Sequence, residues 1–96
     1  MLEKRSFYIN GSWVDPKEQK DIEVINPATE KVCAVISSGS KADVNDAVLA
    51  AKEAFKSWGY STKEDRIALL ETFYTLYKKR WNDITDAIIQ EMGAPK

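Results

Sequence analysis

Hydrophobic and polar positions along the chain change their period near Gly39. Before it, apolar residues come in short runs, which predicts strands; after it, they recur three and four apart, which predicts helices. Phe7 to Val14 is rich in aromatic and branched residues and is interrupted by Asn10-Gly11, a pair that tolerates positive φ and predicts a tight hairpin. The polar stretch Asp15 to Asp21, with Pro16 near its start, reads as a loop, and Ile22 to Ile25 as the next strand. Asn26-Pro27-Ala28-Thr29 follows as a turn, since Pro27 fixes φ and the Asn26 side chain can bond the backbone ahead of it. A third strand is predicted over 31–37. Its apolar run Val32 to Ile36 suits burial on both faces.

Beyond Gly39, Ser40-Lys41-Ala42-Asp43 has the form of a capping box, with Asp43 in place of the longer Glu. Val44, Ala47, Val48, Ala51, Phe55 and Trp58 then lie on one helical stripe, and Gly59 suits a left-handed stop. A second cap, Thr62-Lys63-Glu64-Asp65, opens a helix whose stripe runs through Ile67, Leu70, Phe73, Tyr74, Tyr77 and Trp81. A third helix starts near Asn82 or Asp83, shows Ile84, Ala87, Ile88 and Met92, and is ended by Gly93 and Pro95. The predicted order is therefore short antiparallel strands at about 7–14, 22–25 and 31–37, then helices at about 41–58, 63–81 and 83–92.

Ninety-six residues suit one domain or part of one. Fourteen basic side chains face fifteen acidic ones, and a net charge of -1 supplies no long-range field for nucleic acid or an anionic membrane. Cys33 is the only cysteine, which excludes an internal disulfide. Only Phe7 to Ile9 follow the charged first residues as an apolar run, too short for a signal-peptide core, and no stretch nears the roughly 20 apolar residues of a membrane helix. The default location is the cytoplasm.

Candidate chemistry is thin. A nucleophilic thiol needs a cation, a base or a helix N-terminus beside it, whereas Cys33 stands between Val32 and Ala34 in an apolar strand of a chain without histidine. It reads as a small buried hydrophobe. The same composition argues against zinc and excludes a Ser–His–Asp triad. Asp43 with Asp46, and Asp83 with Asp86, are spaced to share helix faces, but as first-turn residues they complement the helix dipole. Tyr77-Lys78-Lys79-Arg80-Trp81 interleaves bases with aromatics; Tyr77 and Trp81 belong to the apolar stripe, and the cations favour a helix C-terminus. Gly11, Gly39, Gly59 and Gly93 are too scattered for a phosphate cradle. Composition and spacing alone show a soluble α+β segment and no site.

The order of these segments resembles the aldehyde dehydrogenase superfamily. Phe7-Tyr8-Ile9-Asn10-Gly11-Ser12-Trp13-Val14 is similar to its first strand pair, and Val24-Ile25-Asn26-Pro27-Ala28-Thr29 to its Asn-Pro-Ala-Thr turn. Asp43-Val44 with Ala47-Val48, Ala50-Ala51, Ala54-Phe55 and Trp58 resembles its first long helix. Arg66 followed by Leu69 and Leu70 looks like the start of the second, and Glu91-Met92-Gly93-Ala94-Pro95 like the close of the third. One departure is Glu30, where the family usually has Gly; if that position needs positive φ, Glu30 costs on the order of 1 kcal/mol.

The resemblance implies an α/β enzyme several times longer, of which residues 1–96 are an incomplete part of the Rossmann-like NAD(P)-binding domain. It implies oxidation of an aldehyde to an acid with NAD or NADP through a cysteine thiohemiacetal. It also implies that the catalytic and cofactor positions lie beyond Lys96, so that no catalytic, cofactor-binding or metal residue is assigned here. Ile25 matches a position whose backbone carbonyl helps hold a monovalent cation in many members. The implied partners are the remainder of the chain and, for the whole enzyme, a homodimer or homotetramer, with neither nucleic acid nor membrane. A small free-standing interaction module derived from this segment is the alternative. On the enzyme-fragment expectation, the run Val32 to Ile36 and the stripe from Ile67 to Trp81 await a larger partner surface.

Overall fold

A computed structural model describes residues 1–96. The hairpin forms where Asn10-Gly11 places it: β2 (Phe7–Ile9) and β3 (Ser12–Val14) pair antiparallel, with Asn10 at φ 53° and Gly11 at φ 79°. Two successive positive φ values give the turn whose twist matches that of the flanking strands. The Tyr8 and Trp13 rings meet across the pair at 5.2 Å between centroids.

The predicted strands at 22–25 and 31–37 are β4 (Asp21–Asn26) and β5 (Lys31–Ser37), an antiparallel pair with a bulge between Val24 and Ile25. One strand escapes the pattern. β1 (Leu2–Lys4) pairs parallel with β5, Leu2 opposite Ala34 and Lys4 opposite Ile36, so the sheet order is β1-β5-β4. Leu2-Glu3-Lys4 has no strand composition of its own. Distant side chains hold it: Ser37 Oγ donates to the Arg5 carbonyl at 2.7 Å, and Arg5 donates to both Asp21 oxygens at 3.1 and 3.2 Å. The Asp21 contact, then Glu3, holds the guanidinium more firmly protonated than usual.

α1 (Lys41–Trp58) and α2 (Lys63–Lys79) begin at the predicted caps, and both capping boxes are closed on both sides. Gly59 is not the left-handed stop expected of it. It stays right-handed at φ −59°, and glycine is needed there for space, because a Cβ would lie 2.7 Å from the Phe55 carbonyl oxygen and 2.9 Å from its ring. The next boundary also differs. Arg80, at φ −105° and ψ 16°, ends α2, so Trp81 opens α3 (Trp81–Met92). The stripe hides this break because Trp81 still packs edge-on against Tyr77, 5.6 Å between centroids.

α3 lies against β4 and α1 against β2. Gly93 ends α3 at φ 66°, and a Cβ there would lie 3.0 Å from both the Ala28 nitrogen and the Pro27 Cγ. The helix end is therefore seated on the Asn26–Glu30 turn.

Little of this is enclosed. Val35, Ser37 and Asp43 are the only buried residues. The radius of gyration is 17.0 Å, against about 12.5 Å for a compact chain of this length. The accessible surface is 8122 Å², about 2,500 Å² above the ~5,600 Å² expected of a compact protein of this mass. Burial of the Val32–Ile36 run is only half supplied: Val35 is buried, while Ile36 is 38% exposed.

Candidate functional site

Cys33 is half-buried in β5. Its thiol reaches the Val24 carbonyl oxygen at 3.4 Å and, more distantly, that of Gln90 at 4.0 Å. It meets acceptors, not the cations or donors that serve a nucleophilic thiolate. The contacts join β5 to β4 and α3.

The carboxylate pairs separate. Asp43 stands in the first turn of α1 and Asp83 in the first turn of α3, whereas Asp46 and Asp86 lie beyond those turns, contrary to their expected first-turn placement. Three residues after a first-turn position, the chain is already in the next turn, where free N–H groups are gone. Asp46 pairs with Lys17 Nζ at 3.1 Å, Asp83 with Arg80 at 3.3 Å and Asp86 with Lys96 at 3.8 Å. Asp43 accepts from the Ser40 N–H at 3.0 Å, the Ser40 hydroxyl at 2.8 Å and the Lys17 N–H at 3.1 Å. These bonds, the Ser40 N–H foremost, hold its carboxyl below the usual carboxylate range against the opposing effect of burial. All four groups are already engaged by their own chain.

Lys78 and Lys79 occupy the last turn of α2, as expected of cations there, and Lys78 Nζ lies 4.5 Å from the Tyr74 ring centroid. Ile25 sits at the bulge of β4, one residue before the Asn26-Pro27 turn, and no cluster of three or more metal-ligating side chains forms anywhere in the chain.

The largest concavity is an open groove of about 590 Å³ between the hairpin and α1. Asp15, Asp43, Asp46 and Glu53 line it with Lys17 as their counter-charge. Such a surface repels a pyrophosphate. The N-termini of the two long helices, natural anion sites, are closed by Asp43 and Asp65, whose carboxylates occupy the place an anion would take. Neither this groove nor these two helix ends fits a dinucleotide.

The arrangement is a three-stranded sheet with α3 against it, a separate hairpin with α1 against it, and three consecutive helices. The chain belongs to the aldehyde dehydrogenase family, whose model matches residues 13–96. It is 45% identical over 95 residues to a 3-succinoylsemialdehyde-pyridine dehydrogenase of a Pseudomonas species, covering 99% of this chain and 20% of the relative. Among solved structures, an aldehyde dehydrogenase from Bartonella henselae matches at 47% identity with a TM-score of 0.97, over 99% of this chain and 20% of that one. Aldehyde dehydrogenase C from Pseudomonas syringae, a variant in complex with NAD+ and octanal, matches at 42% identity with a TM-score of 0.91, over 94% of this chain and 19% of that one. The chain thus spans about one fifth of the length of these relatives.

Proposed function

We propose that this chain is the N-terminal part of the NAD(P)-binding domain of an aldehyde dehydrogenase, and that the remainder of such a chain carries the chemistry. In the whole enzyme a cysteine attacks the aldehyde carbonyl to give a thiohemiacetal, and oxidation with NAD or NADP leads to the carboxylic acid. Cys33 is not that cysteine. The 96 residues alone bind no dinucleotide and turn over no aldehyde. The whole enzyme is a homodimer or homotetramer in the cytoplasm. The observation that carries this reading is a family match over nearly the whole chain together with about 2,500 Å² of surface left uncovered.

The test compares two proteins. One is the 96-residue chain; the other is a single polypeptide in which it replaces the matching segment of aldehyde dehydrogenase C from Pseudomonas syringae, the relative seen with octanal. Incubated with octanal and NAD+ or NADP+, the joined protein is expected to raise absorbance at 340 nm while the short chain stays at the reagent blank. Turnover by the short chain, or an inactive joined protein, contradicts the proposal.

A further inference from the structure

We infer that the chain is a preformed docking body, whose partner is the remaining four-fifths of an aldehyde dehydrogenase polypeptide, able to seat even when the two are not covalently joined. The inference rests on the family-segment reading above and adds to it that the shape exists before the partner arrives.

The local structure is specified from within. Both capping boxes are closed, 61 backbone hydrogen bonds are made, and no buried side-chain nitrogen or oxygen lacks a partner. Its outline superposes with a TM-score of 0.97 on a segment of a chain five times longer, so docking requires no rearrangement.

What is missing is cover. α2 buries no residue. At about 100° per residue, Ile67, Leu69, Leu70, Phe73, Tyr74 and Leu76 spread over roughly half its circumference, and each is at least 44% exposed. The uncovered excess of about 2,500 Å² exceeds the ~800 Å² per partner of an ordinary complex and matches one side of an obligate interface. A second copy is a poor occupant. Exposed apolar residues stand on the hairpin (Trp13), on α1 (Leu49, Phe55), on α2 and on β4 (Ile22, Ile25), and one two-fold patch covers one face only.

The experiment places a protease site after Lys96 in the joined protein and cuts it. After cutting, the two pieces are expected to co-elute as a one-to-one pair and keep at least half the uncut dehydrogenase rate. Leu70→Asp with Tyr74→Asp in the short piece should weaken retention at least tenfold. Thr75→Glu, on the opposite side of α2, should leave it within twofold. An active joined protein whose pieces separate on cutting overturns the docking inference and leaves the family-segment reading standing. A joined protein without activity or cooperative folding overturns both. Self-pairing of the short piece in preference to its partner overturns the choice of occupant.

Discussion

At the scale of single residues, two backbone positions carry opposite strains. Asn10 stands at φ 53° in the hairpin, where its side chain type is well suited. Glu30 stands at φ 58° at the end of the Asn26 turn, held there by its N–H donating to the Asn26 carbonyl at 2.8 Å. A long side chain gains nothing from that conformation, so Glu30→Gly should stabilise the chain by about 1 kcal/mol, read as a higher urea midpoint at unchanged slope. A midpoint that falls or stays put would show that the strain is relieved elsewhere. Asp43 sets the acid behaviour. Its carboxyl is held below its unfolded value, chiefly by the Ser40 N–H, so its stabilisation is present above the unfolded pKa and lost as pH falls through the folded one. Asp43→Asn should lower stability near neutrality and flatten the acid limb below about pH 4. An unchanged limb would place the acid sensitivity in other carboxylates.

At the scale of elements, each glycine at positive φ can be asked what its missing Cβ would touch. At Gly11 it meets nothing within 4 Å; at Gly93 it meets the Pro27-Ala28 backbone and ring at 3.0 Å. Both substitutions to alanine strain φ, but only Gly93→Ala also lifts α3 from the turn. It should cost at least twice what Gly11→Ala costs and speed amide exchange in α3 and β4 together, while Gly11→Ala disturbs the hairpin alone. Equal costs would mean that α3 is not seated through this contact. The elements most legible in the sequence are those with local causes: the Asn10-Gly11 hairpin, the two capping boxes, and the Gly93 stop. β1 was not legible, because its strand state comes from pairing with β5 some thirty residues away. The break between α2 and α3 was legible but not its place at Arg80, since the apolar period runs on to Trp81; nor was the crowding at Gly59, since Phe55 closes the space only once folded. Of the candidate site, the residue types were legible and their partners were not: that Lys17 reaches both Asp46 and Asp43 depends on how the loop before β4 folds back over α1.

At the scale of the whole molecule, hydrogen bonding and burial have come apart. The backbone ladders and caps are those of a finished protein, while the enclosed core amounts to Val35 and two polar residues. An unfolded chain of 10.9 kDa exposes about 15,800 Å², so folding to 8122 Å² removes only about three-quarters of the surface that a compact protein of this mass would remove. The dependence of unfolding free energy on denaturant scales with that area. The isolated chain should therefore unfold in urea with a slope about three-quarters of that of a compact 96-residue domain, and at a low midpoint. It should also bind a hydrophobic dye, and its melting temperature should rise with protein concentration as exposed faces such as α2 find each other. Joined to the rest of a family chain, the same residues should show neither dye binding nor concentration dependence, because the area is then covered from within. A steep, concentration-independent melt of the isolated monomer would mean that it closes a core of its own, and would move the weight from a segment of an enzyme to a free-standing module.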